Sequence, residues 1–389
     1  MLQAASVSCS GDDSRAVGKD LGSELLDSLG RDPDVVLLFA ATRYASADLL
    51  DGLAARLSPR TRVVGCTSCA EINSEEALSD SATAMGLCLD GVDVAVAHAR
   101  DDADDSAAIG RRLGEDLRDF DPSLVILFVD GTRLNSTPLL AGMQAVLGRD
   151  RPIVGGVAAD DLRFVRTEEF VDGEALSGAA VALALRGPLR VESVVASGWQ
   201  AMGRNRVITR AADSKTITEL DGEPALEVYR TYLGGFGRDI DTAGLEFPIG
   251  VLARPGEEVL ARGDAFIRAV QGPAADGRGV RVSGDIEEGS TVRLMRTSRE
   301  ALIDSARAGI ADAVAAMPAP AFALVFDCAG RKVVLGPRYK DELAAALSAL
   351  PPGLPTVGFF TYGELAPRDG ETIHHDETFT AVLVGVDGA

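Results

Sequence analysis

The stretch VVLLF at residues 35–39, followed by a helical segment and then VVG at 63–65, governs how the rest of the chain is read. An unbroken apolar run of this length is what a strand covered on both faces looks like. The same order recurs as LVILF (124–128) with IVG (153–155), and again as FALVF (322–326) with TVG (356–358). Such self-similarity points to copies of one supersecondary unit, two in the first half of the chain and one in the second. Buried strands separated by a helix are usually parallel neighbours joined by a crossover. The expected fold is therefore α/β, with repeated βαβ-type units, mainly parallel sheets and two domains.

Other signals work outward from these runs. Ser46 and the Thr137-Pro138 pair read as helix starts, the serine as a cap and the proline as a first-turn residue. Each VG is followed six positions later by an acid: Gly65 by Glu71, Gly155 by Asp161 and Gly358 by Glu364. A polar turn then leads to an apolar return strand, near Ala82–Leu89, Ala179–Leu185 and Thr378–Gly385. Helical stretches near Ser106–Phe120 and Ser298–Met317 lead into the first strands of two copies. Between copies two and three, about Gly198–Gly289, lie a helix (Pro224–Leu233) and several short strands with Gly and Pro turns. These signals divide the chain into a poorly ordered tail (1–25), a first domain (26–235) and a second (236–389).

Composition excludes some roles. At 389 residues with a net charge of −21, the chain has no basic field for nucleic acid or for an anionic membrane surface. Residues 1–30 carry no signal-peptide core, and no apolar stretch approaches the roughly 20 residues of a spanning helix. Five cysteines, an odd number, suit a reducing compartment, so the cytoplasm is expected. No Ser-His-Asp order, P-loop or HExxH motif supports catalysis.

Three segments carry a family resemblance: VVGCTSCAEI (63–72), ITELDGEPALEVYRTYLG (217–234) and GFFTYGELAP (358–367). They resemble the FIST family, over about residues 30–388. The middle string is the most specific, because composition alone gives no reason for it. The resemblance implies a bacterial sensory input module that binds a small ligand and signals through a separate effector. Relatives of that kind are joined to or encoded beside kinases, cyclic-dinucleotide enzymes or chemotaxis receptors. Some members are similar to nitric-oxide-responsive haem proteins, and others have been proposed to bind amino acids. The alternatives are thus a haem-based gas sensor or an enzyme acting on a small metabolite. Ala70 stands where the family usually has glycine before the first acid. His375-Asp376-Glu377-Thr378 keeps the family's histidine and threonine but not its asparagine.

The candidate site residues follow. Ligands of open α/β sheets bind beyond the carboxyl ends of strands, where Gly65, Gly155 and Gly358 would let a ligand approach the backbone. Glu71 and Asp161 would supply charge in the first two copies. In the third copy, which keeps TYGELAP, Thr361, Tyr362, Glu364 and His375 would line the pocket for an unidentified ligand bearing an amine or hydroxyl. Of the three histidines, His374 and His375 are the candidate haem ligands if haem binds, whereas His98 reads as packed or at a strand end. Cys66 and Cys69 have CxxC spacing, but one such pair makes no four-cysteine zinc site, and they read as small buried side chains.

Overall fold

A computed structural model describes residues 2–100, 105–233, 240–259 and 265–386, without the side chains of 241 and 242. The first unit runs β1 (Leu2–Cys9), α1 (Ser14–Leu29), β2 (Val35–Ala41), α2 (Ser46–Ala54), β3 (Arg62–Ser68), the short hairpin β4 (Glu71–Ile72) and β5 (Ala77–Leu78), and β6 (Ala82–Leu89). The second repeats it: β7 (Asp93–Arg100), α3 (Ser106–Arg118), β8 (Leu124–Val129), α4 (Ser136–Leu147), β9 (Ile153–Val157), hairpin β10 (Glu169–Val171) and β11 (Glu174–Leu176), then β12 (Ala179–Arg186).

The third unit opens with β13 (Leu189–Ala196) and is then interrupted. The interruption holds β14 (Gln200–Asp213), β15 (Thr216–Leu220), β16 (Glu223–Pro224), α5 (Ala225–Leu233), α6 (Ile240–Glu246), β17 (Ile249–Ala253), β18 (Phe266–Arg268), β19 (Val270–Pro273), β20 (Val280–Val282) and β21 (Thr291–Arg296). The unit resumes with α7 (Arg299–Ala316), β22 (Phe322–Cys328), α8 (Ala329–Leu335), α9 (Tyr339–Leu347), β23 (Thr356–Thr361), hairpin β24 (Glu364–Arg368) and β25 (Glu371–His375), and β26 (Phe379–Val386).

Sheet order is the same in all three units, and each sheet borrows a hairpin from another unit. The orders are β1-β6-β2-β3-β10-β11, β7-β12-β8-β9-β24-β25 and β13-β26-β22-β23-β4-β5. The units are therefore interlocked in a cycle. Each of these sheets holds one parallel pair, β2 with β3, β8 with β9, and β22 with β23. The described pairs around them are antiparallel, including every return strand against its first strand. This corrects the expected fold class: the sheets are mixed and mostly antiparallel, not mainly parallel. A hairpin, rather than a crossover helix, delivers each return strand, and a hairpin reverses chain direction.

The apolar runs misled because an ordinary two-faced alternation is hidden inside them. Val35, Leu37 and Phe39 point into a core shared with Leu124, Ile126, Phe128, Phe322, Leu324 and Phe326. Val36 and Leu38 instead meet Leu21, Leu25, Leu49 and Leu53 of α1 and α2. The second and third sheets repeat this, with α3 and α4 and with α7 and α9 on their outer faces. Both faces are dry, so the period of 2 leaves no polar mark. At the centre Phe359 sits 4.7 Å from Phe39, 6.2 Å from Phe128 and 5.7 Å from Phe326 between ring centroids.

The repeated glycines also serve packing. A Cβ on Gly65, Gly155 or Gly358 would lie 1.7, 2.0 or 1.8 Å from the carbonyl oxygen of Leu38, Leu127 or Val325 on the parallel neighbour. Their bareness admits a strand, not a ligand.

Two further expectations are corrected. Residues 2–25, read as a tail, form β1, paired along its length with β6, and most of α1, whose Val17, Leu21 and Leu25 are buried. Helix α2 has no side-chain cap, since the Ser46 hydroxyl turns to Glu168, and α4 is capped by Asn135 ahead of Thr137. The expected domain cut at 235/236 lies outside the described residues. No helix among those described is long and apolar enough to cross a membrane.

Candidate functional site

The third unit's parallel pair ends at Cys328 and Thr361, which are register partners. Beyond them opens a cleft of about 680 Å³. Cys328, Ala329 and Gly330 form one wall, and Thr361 and Tyr362 another. Asp376 and Glu377 come from the turn before β26. Leu162 and Phe164 reach in from the second unit, and Ala269, Val270 and Ser283 from the interrupting region. Three parts of the chain thus meet at one cavity.

The acids of this cleft have unequal surroundings. Asp376 is 3% exposed and lies 3.1 Å from Arg268 Nη1 and 3.2 Å from His374 Nε2. Burial works against its charge, but His374 and Arg268 together bring the carboxyl down to about 2. Glu377, in the left-handed region at φ 57°, is pushed the other way. Burial raises it to about 8 against the pull of Arg331, with Asp376 and Glu342 adding to the rise. Its Oε2 is buried without a hydrogen-bond partner, and its Oε1 lies where a Cβ on Gly330 would be only 2.0 Å away.

Below it, the fully buried Arg331 is already committed. It pairs with Glu342, approaches Asp327 at 3.6 Å, and donates to the carbonyls of Ser197 (2.6 Å) and Leu302 (3.2 Å). Burial and the surrounding acids Glu364, Glu377 and Asp376 keep the Cys328 thiol well above its usual pKa, so it is no ready nucleophile.

The aromatic wall is fixed by one carboxylate. Phe164 stacks on Tyr362 with centroids 4.4 Å apart and an interplanar angle of 17°. Asp160 accepts from the Tyr362 hydroxyl (2.5 Å) and from the backbone amides of Phe164, Val165 and Arg166 (2.8, 2.7 and 3.0 Å). The loop is therefore tied to the strand that it stacks upon.

The residues singled out by sequence scatter around this cavity. Thr361 and Tyr362 line it. Glu364 faces His375 across β24 and β25, but it is fully buried and accepts from the hydroxyl (2.7 Å) and amide (3.2 Å) of Thr378. Replacing Glu364 by Ala should cost about 1–3 kcal/mol in denaturant unfolding, because the Thr378 donors lose their acceptor. A loss below a few tenths would contradict that role.

His375 is 4% exposed, donates through Nε2 to the Ala366 carbonyl (3.2 Å), and is driven by burial to about 3, hence neutral. Its ring borders a separate cavity of about 210 Å³ with Arg268 and Arg368. His374 is held between Ser136 (2.7 Å) and Asp376. His375 Nε2 and His374 Nδ1 are thus committed to Ala366 and Ser136, while His374 Nε2 is buried beside Asp376 without a hydrogen bond. His98, expected as packed or at a strand end, is exposed within β7.

Glu71 is fully buried and held by Ser68 and Ser81. Asp161, its expected counterpart, is instead half exposed and paired with Arg163 and the Thr42 hydroxyl. The residue in register is Glu169. It faces Cys66 one step beyond Gly65, as Glu71 faces Phe359 beyond Gly358 and Glu364 faces Gly156 beyond Gly155. A longer loop in the second unit places Glu169 fourteen positions after Gly155, so the six-position spacing to Asp161 is accidental. Cys66 and Cys69 are buried free thiols raised by desolvation, Cys69 to about 12. Asp376, Glu377, Cys328 and Phe164 were not picked out as site residues. Only the departure from the family's asparagine pointed toward the first two.

The FIST N domain model matches residues 34–223 and the FIST C domain model matches residues 225–367. The chain belongs to the FIST family, whose domains are sensory and ligand-binding. It is similar to an uncharacterised protein of Mycobacterium bovis, 26% identical over 388 residues, with 96% of this chain and 97% of that one covered. An uncharacterised protein of Mycobacterium tuberculosis is 30% identical over 236 residues, and the match spans 59% of this chain and 60% of the relative. An uncharacterised protein of Methanocaldococcus jannaschii is 27% identical over 269 residues, covering 61% and 50%. Among solved structures, a cyanuric acid hydrolase from A. caulinodans aligns over 99% of both chains with 11% identity and a TM-score of 0.32, too remote to inform the site.

Proposed function

We propose that this protein is a small-ligand sensor and that the cleft at the ends of β22 and β23 is its ligand site. The observation that carries the reading is the make-up of the cavity. It is walled by the third unit, by the second unit's loop and by the interrupting region, and it holds a buried carboxyl oxygen without a partner. A ligand there touches three segments at once, so binding changes their relative free energies, which is what a sensor requires. In this reading the bound state is read by a separate effector in the cytoplasm, a signalling kinase or a cyclic-dinucleotide enzyme.

Native mass spectrometry of the purified protein tests the site directly. A non-covalent small-molecule adduct is expected. It should vanish in Val333→Trp, which fills the cleft from a position that is 40% exposed and so leaves the core intact. An adduct that persists in the folded variant would move the site elsewhere.

A further inference from the structure

The carboxyl groups around Glu377 are unequally partnered. Asp376 has Arg268 and His374. Asp327 and Glu342 lie against Arg331 away from the cavity, although both Asp327 oxygens and Glu342 Oε2 lack a hydrogen-bond partner. Glu364 has the Thr378 donors at Oε2, and its unpartnered Oε1 does not border the cavity. Glu377 shares only the pull of Arg331, which is committed to other groups, and has no hydrogen-bond donor at Oε2, although it is 1% exposed and borders the cavity. A buried carboxyl left this way costs free energy that an incoming donor recovers. A ligand carboxylate or phosphate brought to Glu377 would supply no donor there, and Arg281, the cation lining the cleft, already donates to the Gln271 carbonyl.

The rest of the cavity suits an apolar body. Ala269, Val270, Val333 and Leu162 border it, and the stacked Phe164 and Tyr362 rings offer a flat face for a ring or a cation.

Resting on the ligand cleft proposed above, we infer that the ligand is an amine with an aromatic or flat apolar body, its ammonium group seated on Glu377. The ammonium supplies the donors that Oε2 lacks. The ring lies along Phe164 and Tyr362.

Isothermal titration of the full chain with 2-phenylethylamine, 2-phenylethanol and phenylacetate tests this class. The amine should bind saturably, and at least about 10-fold more tightly than phenylacetate. Glu377→Gln keeps the side chain's shape but cannot give up a proton to pair with an ammonium. It should weaken the amine by about 10- to 100-fold and leave the alcohol nearly unchanged. Phe164→Ala, at a side chain 57% exposed, should weaken all three probes without affecting folding. It provides the second measurement should the glutamate variant fold poorly.

Binding of phenylacetate as tight as the amine would overturn the inference. So would an amine affinity indifferent to Glu377→Gln, or no saturation up to about 10 mM amine. An adduct without an amine that disappears in Val333→Trp would overturn the ligand class and leave the cleft standing. An adduct unaffected by Val333→Trp would remove the cleft itself.

Discussion

Phe359→Ala is expected to remove about 3–5 kcal/mol of stability, the usual range for deleting a large aromatic from a core that cannot collapse around the void. Phe359 is fully buried and touches the rings of Phe39, Phe128 and Phe326, one from each unit's first strand. Its loss therefore weakens three sheets together, and exchanged hairpins bind each sheet to another unit. The three units should unfold as one cooperative body. Far-UV circular dichroism and the fluorescence of Trp199, the chain's single tryptophan, should give coincident denaturation curves, both shifted by the variant. Phe164→Ala, at an exposed aromatic, should change stability by less than about 0.5 kcal/mol. A cost for Phe359→Ala below about 1 kcal/mol would mean that the centre is not shared, and separate transitions would mean that the units are independent.

Stability should fall as pH rises from about 5 to 8. Burial, partly offset by Ser68 and Ser81, raises Glu71 from 4.5 to about 7, and Glu377 rises to about 8. Glu169 and Glu364 are also displaced well upward by burial. In each case the folded state holds a proton that the unfolded state has already released. The contribution is full below the unfolded pKa and disappears as pH climbs through the folded one. His375 works the other way, because its folded pKa of about 3 makes the unfolded state the better proton acceptor between 3 and 6.5. One histidine offsets one acid in that window and none above it. For Glu71 alone the shift corresponds to about 3 kcal/mol. Melting temperatures at pH 5.5, 6.5 and 7.5 should therefore decline, and Glu71→Gln should flatten the decline. A melting temperature that rises with pH, or an unchanged slope in the variant, would show that these carboxyls are ionised in the folded protein.

The three copies, their buried first strands, their VG-containing partner strands and the family were legible in the sequence, because close packing imposes composition locally. A strand with both faces dry must be apolar throughout, and a parallel neighbour whose carbonyl lies within 2.0 Å of a would-be Cβ must be met by glycine at positions such as 65, 155 and 358. Strand direction left no such mark. The apolar run 35–39 reads the same beside a parallel or an antiparallel partner, and only the hairpin route of β6, β12 and β26 made the sheets mostly antiparallel.

The acids were half legible. Glu71 and Glu364 are register equivalents, but a loop insertion hid Glu169 and offered Asp161 in its place. The site itself was the least legible. Thr361 and Tyr362 reach the cleft from the strand end that the repeat indicated, while Glu364, two residues on, is turned into the core. Phe164, Ala269 and Glu377 are far apart in the chain and meet only because the units interlock. Sequence by itself determined which segments must be buried and how often the unit recurs, since burial is a property of each residue's own chemistry. Tertiary structure alone decided which acid faces the cavity and which acids already have a partner, since both depend on contacts between residues as far apart as Arg268 and Asp376.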